Sequence, residues 1–442
     1  MKTQVPDTGK RSFSEDIISV FSSNVFSLVA NLLTVVLVSR VLGPELYGLY
    51  TAVLVIPLLV VSFFQMGIRP STVFMIGSGK HDANKVVSAV VSTLLITGSA
   101  GMLFSGIAYV VMYKTGFTPL LIGLALATIP MRLTAIYAGG VFLAKEQMKR
   151  ANLMNWLTAL LTLLFALIFV WLLKLGVAGA LLGLMTSNLV VSAYALNMLR
   201  RNYTIKLSLY NPIIRQMLQL GVVYALSFLI IQLNYRADIL LLQWLADTRE
   251  VGLYSLGVAV SELLWQIPLA VSLVVMTRSA NTTDQKLMNE STARLLRLSL
   301  ISGITLSVFI YLLSPFVIPL VFGTGYIGSV RIIQTVLPGI IIVIIFRVLS
   351  GQLSGMGKPQ VALRAFILAL ILNVILNYLL IPRLGGMGAA IATNISYLIG
   401  TIIYIIAYCK ITGTRVNDLF HFSKNDFTTA SAFIKKRLHP KD

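Results

Sequence analysis

Leu220–Trp244 reads LGVVYALSFLIIQLNYRADILLLQW, an apolar run interrupted in its second half by Gln232, Asn234, Arg236 and Asp238. A helical span of the hydrocarbon core takes about 20 apolar residues, so the stretch is long enough to cross a bilayer. An ionised side chain at that depth is costly. It normally faces protein or a water-filled cavity and marks a transport or relay site. We therefore expect this helix to line a central aqueous cavity in a two-lobed transporter. Arg236 and Asp238 are two residues apart, about 200° around a helix, and cannot share a face. Asp238 lies with Asn234 and Tyr235, Arg236 with Gln232 and Gln243. One side faces the cavity and the other pairs within its lobe; the sequence leaves open which.

The rest of the chain has the same character. Of 442 residues 57% are hydrophobic and only 11% charged, against about a quarter in a soluble domain. Reading apolar runs on a 20-residue basis gives twelve spans: 17–38, 48–69, 86–111, 119–143, 152–173, 177–198, 219–242, 252–276, 296–320, 330–353, 361–381 and 387–408. The second has the option of running on to Ile76. In the ninth, Pro315 and Pro319 are expected to end or kink the helix. The predicted class is an all-α polytopic membrane protein of about twelve transmembrane helices. Met1–Asp16 is polar and reads as no signal peptide.

Charge sets the expected orientation. With the N-terminus inside, six Lys and Arg lie outside (Arg40, Lys114, Lys174, Arg249, Arg331, Arg383) and four within spans (Arg69, Arg132, Arg236, Arg347). The other 25 of the 35 lie inside. That bias predicts a cell-membrane protein with both termini cytoplasmic. The net charge of +20 is then a topology signal and a match to anionic headgroups, with no basic aromatic face for nucleic acid. The lone Cys409 forms no internal disulfide, and His81, His421 and His439 have no metal-ligand spacing, so no metal site is expected. Only Glu45, Asp247 and Glu250 are acidic on the outside, in short loops. That leaves no room for a catalytic module, and an enzyme is not expected.

The chain repeats itself. Gly48-Leu-Tyr50 and Gly252-Leu-Tyr254 are offset by 204, Leu175-Gly176 and Leu384-Gly385 by 209, Lys145 and Lys358 by 213. Ordered, slowly growing offsets at matching places are those of a duplication with small insertions. Six spans per copy give a parallel repeat about an axis along the membrane normal. We expect an N-terminal lobe over 1–205, a C-terminal lobe over 206–410, a basic cytoplasmic tail over 411–442, and a junction near Arg200–Pro212.

Six ionisable residues fall within the spans: Arg69, Arg132, Arg236, Asp238, Glu262 and Arg347. Each costs roughly 2.5–3.5 kcal/mol at a helix centre, so most should face inward. Arg69 sits near a helix end, where snorkelling to headgroups and a functional role both stay open. Polar stripes at helical spacing accompany them. Asn24, Ser27, Asn31 and Thr34 mark the first span, Glu262, Trp265 and Gln266 the eighth, Arg347, Ser350, Gly351 and Ser354 the tenth. Asn373 and Asn377 mark the eleventh, and Asn394, Tyr397, Thr401, Tyr404 and Tyr408 the twelfth. For the last two spans we expect helix–helix bonding, for the first and seventh a cavity. Four arginines against two carboxylates make a cationic interior. Guanidinium groups bind phosphate in bidentate fashion, so an amphiphile bearing phosphate or pyrophosphate fits and a cation fits poorly.

Arg40-Val-Leu-Gly-Pro-Glu-Leu-Tyr-Gly-Leu-Tyr50 resembles the signature that follows the first span of polysaccharide transporters of the O-antigen flippase type. Gly325-Tyr326, Gly357-Lys-Pro359, Asn373 and Asn377 before Leu380-Ile-Pro382, and Gly385-x-x-Gly-Ala-Ala-Ile-Ala-Thr393 resemble the same family. It belongs to the superfamily of multidrug, oligosaccharidyl-lipid and polysaccharide flippases. The resemblance implies two six-helix bundles, alternating access, and movement of polyprenyl-pyrophosphate-linked sugars to the outer leaflet, as in lipopolysaccharide assembly. A glycan polymerase and assembly proteins are the protein partners such a role implies. On this reading Arg132, Arg236 and Arg347 bind the anionic group, Asn31 and Asn234 solvate the sugars, and Asp238 or Glu262 carries H+ or Na+ coupling or an ion pair; no cofactor is required. The alternatives are a cation-coupled multidrug antiporter, with Asp238 and Glu262 as its cation site, and a non-transporting scaffold.

Overall fold

The computed structural model describes residues 13–79, 81–112, 116–207, 211–282 and 284–421. All regular structure among them is helical. Eleven helical segments are long and apolar enough to cross a membrane. The first of these, Ser22–Gly77, is 56 residues long. At about 1.5 Å per residue it is far longer than one crossing needs. It is two helices joined at Gly43, whose φ of 72° and ψ of 173° are non-helical. Pro44 follows, pre-set for the first helical position, so the segment supplies two of the expected twelve spans.

The helices are α1 (Phe13–Phe64, broken at Gly43), α2 (Ile68–Gly77), α3 (Ala83–Val111), α4 (Pro119–Ala144), α5 (Met148–Ala166), α6 (Gly176–Asn202) and α7 (Asn211–Leu245). They continue as α8 (Thr248–Ser261), α9 (Gln266–Asn281), α10 (Gln285–Phe322), α11 (Ile327–Gly355), α12 (Gln360–Leu384), α13 (Gly386–Thr412) and α14 (Val416–Phe420). They form two compact units, divided inside α7 between Gln232 and Leu233. In the first, α4 is the hub, packed by α1, α2, α3, α5 and α6. In the second, α11 is the hub, packed by α8, α9, α10 and α13, with α12 against α13. These hubs are the fourth and tenth spans, which correspond under the repeat.

The second span does run on to Gly77, but with a break. Met66 and Gly67 take positive φ (46° and 56°) between α1 and α2. A broken helix leaves carbonyls without their usual partners. Tyr137 of α4 answers one by donating its hydroxyl to the Phe64 carbonyl at 3.1 Å. The break is pinned from the other side by α7. A Cβ on Gly221 would lie 1.9 Å from the Met66 carbonyl oxygen, and the Ser71 hydroxyl donates to the Met217 carbonyl at 3.1 Å. Gly221→Ala should therefore force the backbones apart and cost roughly 1–3 kcal/mol. Gly77→Ala, where nothing lies within 4 Å, should be neutral or mildly stabilising. Thermal unfolding of the two purified variants checks this pair.

In the ninth span the prolines do not end the helix: α10 continues through Pro315 and Pro319 to Phe322. Pro315 has no N–H for the Tyr311 carbonyl. The Ser314 hydroxyl and the Gln334 side chain of α11 donate to that carbonyl instead, at 3.1 and 3.2 Å. The basic tail expected over 411–442 lies mostly outside the described residues. The described part, to His421, includes α14, whose Leu419 is buried in a core with Met288, Leu296, Leu353 and Tyr408.

Glu250 shows how contacts between helix ends hold the second bundle. It lies in the first turn of α8 and its Oε2 accepts the Gly386 N–H at 2.7 Å. A carboxylate at the start of α13 satisfies an otherwise unpaired N–H and complements the helix dipole. Glu250→Ala should cost about 0.5–2 kcal/mol, and Glu250→Gln less. The difference is read from their melting temperatures.

Candidate functional site

The first unit encloses a polar cavity of about 300 Å³. Ser27 and Asn31 of α1, Arg69 of α2 and Arg132 of α4 line it, with Asn155 and Thr158 of α5 and Asn188 of α6. No Asp or Glu is among its lining residues. Arg69 reaches this place because α2 lies flat on α4: Gly140 is so close that a Cβ there would be 3.0 Å from the Arg69 Cα. Arg132 and Asn31 line the same cavity. Asn155, Thr158 and Asn188 went unnoticed in the sequence. Asn155 and Thr158 are spaced for one helix face, a signal present but short.

In the second unit α7 sends its two charges opposite ways. Asp238 is 3% exposed. Its Oδ2 accepts from the Tyr254 hydroxyl at 2.6 Å and the Thr393 hydroxyl at 2.7 Å, and its Oδ1 from Asn377 Nδ2 at 2.8 Å. Asn377 Nδ2 also lies 2.9 Å from Asn373 Oδ1. The Asn377 Oδ1 is buried and has no hydrogen-bond partner among the described residues. Donors from α8, α12 and α13 thus converge on the α7 carboxylate. Asp238 is the more deeply buried member of the pair. Asn234, one turn earlier, is also buried and donates to the Phe366 carbonyl of α12 at 3.1 Å. Its amide is used between helices as placed here. Asn373 and Asn377 serve helix–helix bonding, as expected of their stripe.

On the other side of α7, Arg236 Nη2 meets Glu262 Oε2 at 3.4 Å, with side chains 28% and 19% exposed. The two form an ion pair. Glu262 opens a 3₁₀ turn, Glu262–Trp265, between α8 and α9. Residues i and i+3 eclipse in such a turn, so Glu262 and Trp265 stand on one side. Pro268 follows closely and cannot bond back into the turn. Arg347 of the hub α11 lies over the rings of Trp265 and Tyr235, 4.5 and 5.7 Å from their centroids. Its Nη2 donates to the Tyr235 hydroxyl at 3.0 Å. Cation–ring contacts of this kind contribute about 0.5–2 kcal/mol and leave the charge unneutralised. Arg347 Nε and Trp265 Nε1 are buried without hydrogen-bond partners among the described residues. Tyr235 and Trp265 as a cradle were not foreseen, because the 3₁₀ turn that brings Trp265 there leaves no mark in an apolar stretch.

Each hub helix therefore carries an arginine, Arg132 in α4 and Arg347 in α11, beside a second arginine. The polysaccharide biosynthesis protein family model matches residues 13–277. The chain belongs to this family. A second family model, MatE, matches residues 224–379 of this polysaccharide biosynthesis family member. The capsular polysaccharide biosynthesis protein CapF of Staphylococcus aureus is 24% identical over 89% of this chain and 98% of its own length. Two solved structures share the fold at a TM-score of 0.75. One is a multidrug resistance MATE family transporter of the MOP superfamily in an inward-facing conformation, 17% identical, covering 90% of this chain and 98% of its own. The other is the lipid II flippase MurJ, 16% identical, covering 94% and 91%. The membership read from Arg40–Tyr50 and Gly385–Thr393 is thus shown, together with an all-helical fold of two repeated bundles that these solved structures share.

Proposed function

We propose that this protein is a flippase that moves a lipid-(pyro)phosphate-linked oligosaccharide or polysaccharide repeat unit across the cytoplasmic membrane by alternating access of two six-helix lobes. The observation that carries the proposal is the cavity of the first unit, which holds Arg69 and Arg132 and no carboxylate. Paired guanidinium groups at membrane depth are costly and suit an anion that brings two or more charges. In this reading Arg69 and Arg132 hold the phosphate groups, and Asn31, Asn155 and Asn188 bond the sugar hydroxyls. Asp238, a buried carboxylate with three donors from other helices, is the coupling site for H+ or Na+. The names of CapF and MurJ support a glycan-bearing lipid as cargo. The positive bias of one set of loops supports cytoplasmic termini, and a glycan polymerase or assembly protein is the partner such cargo implies.

The MatE match and the likeness to a multidrug transporter favour a second reading, a cation-coupled drug antiporter. The charge of the cavity opposes it, since a cationic drug would face two arginines. Export of a lipid-linked glycan in cells lacking their own flippase separates the two. Wild type should restore export, and a chain with Arg69 and Arg132 both replaced by alanine should not, at equal expression. Efflux of a cationic dye by wild type, with no glycan export from any donor strain, would overturn the proposal.

A further inference from the structure

The cluster around Arg236 contains an arrangement that the flippase reading by itself does not require. Arg236 is held by Glu262 at 3.4 Å, yet both side chains remain partly exposed. Beside them, Arg347 has aromatic rings and one hydroxyl for neighbours and makes no ion pair among the described residues. Two buried donors in the same cluster, Arg347 Nε and Trp265 Nε1, have no acceptor among the described residues. Buried donors are almost always satisfied, and an exception asks for an explanation, of which a partner arriving from outside is one. What these donors lack is an oxyanion. The one carboxylate of the cluster, on Glu262, is instead engaged by Arg236.

We propose that Glu262 is an internal stand-in for the substrate's phosphate. In the resting protein its carboxylate occupies Arg236. An incoming phosphate or pyrophosphate oxyanion displaces it, takes Arg236, and supplies the acceptor that Arg347 Nε and Trp265 Nε1 lack. Glu262 thereby acts as a specificity-determining residue rather than a substrate contact. A ligand with a single weak charge does not outcompete a carboxylate held in place by its own helix. Release is assisted for the same reason, because the returning carboxylate replaces the departing anion. The 3₁₀ turn suits this role: it holds Glu262 beside Trp265 while the i+3 spacing leaves the turn free of a full α-helical bond set. The inference rests on the flippase reading for its cargo, but its test does not.

The test is a titration of the purified full-length protein in detergent with inorganic pyrophosphate. Trp156, Trp171 and Trp244 are first replaced by phenylalanine so that Trp265 is the sole fluorophore. The parent should show a weak, saturable change in Trp265 emission. Glu262→Gln, which removes the competing charge, should bind pyrophosphate at least tenfold more tightly, and its export of lipid-linked glycan should fall because release is slowed. Glu262→Asp, which shortens the reach to Arg236 and keeps the charge, should tighten binding by a few fold and decides the matter if the glutamine variant does not fold. Unchanged or weaker binding in the folded variants overturns the proposal, as does an equal response to chloride at the same ionic strength. If binding tightens as expected while wild type exports no glycan from any donor, the stand-in survives and the flippase reading fails. If wild type exports glycan and Glu262 variants bind no more tightly, the reverse holds.

Discussion

Asp238→Ala should lower the stability of the second bundle by roughly 3 kcal/mol or more. Three donors from three helices end on this carboxylate: Tyr254, Thr393 and Asn377. Asp238 is 3% exposed, so water cannot take its place. Each buried polar group left unpaired costs roughly 1–3 kcal/mol. Tyr254 and Thr393 lie 3.4 Å apart and can recover part of the loss by bonding each other. For a bundle of this size the remainder corresponds to a fall of roughly 6–12 °C in melting temperature. Asp238→Asn separates scaffold from function. It keeps the volume and one acceptor oxygen and should lose far less stability, but it removes the negative charge that a proton or Na+ would need. We expect the asparagine variant to fold and to lose transport. Transport at the wild-type level by a folded Asp238→Asn protein would make Asp238 a structural residue only.

Arg132→Ala should have the largest effect on function. Arg132 comes from the hub helix of the first bundle and faces a cavity with no carboxylate in its lining. A charge-assisted hydrogen bond contributes about 1.5–3 kcal/mol, so losing one arginine from a two-arginine site predicts a fall of roughly 10- to 150-fold in substrate affinity. Stability should change little, or rise, since the variant no longer holds an uncompensated charge at membrane depth. Arg132→Lys keeps the charge and loses the planar fork, and should fall between the two. Export measured against substrate supply, with melting temperature beside it, distinguishes this from misfolding. A loss of export that tracks a loss of folded protein would remove Arg132 from the site.

The pattern of the chain was legible because a bilayer imposes few rules and strict ones. Apolar runs of the right length, the offsets between Gly48–Tyr50 and Gly252–Tyr254, and the buried arginines all follow from the cost of polar groups in hydrocarbon. They led to an all-helical protein of two repeated bundles and, with the Arg40–Tyr50 and Gly385–Thr393 motifs, to its family. The same cost made Arg132 a candidate, and helical spacing made Asn31 one. Helical spacing also showed that Arg236 and Asp238 must point apart.

Which of them turns inward was a tertiary decision. It depends on Tyr254, Asn377 and Thr393, which lie 16, 139 and 155 residues from Asp238, and no local pattern registers such partners. Three local departures from the α-helix were equally silent. The break at Met66–Gly67 is held by Gly221 and Tyr137 and turns Arg69 into the cavity. The unbroken course of α10 past Pro315 relies on Ser314 and Gln334 for a carbonyl that proline leaves free. The 3₁₀ turn at Glu262 brings an acid, an indole and two arginines together. By itself the sequence determined the all-helical class and which runs are long and apolar enough to cross a membrane, because both follow from solvation along the chain. Only the tertiary structure decided which arginine is paired, which stands alone and where the acids turn, because those outcomes depend on side chains from other helices and on backbone hydrogen bonds that packing, not composition, satisfies.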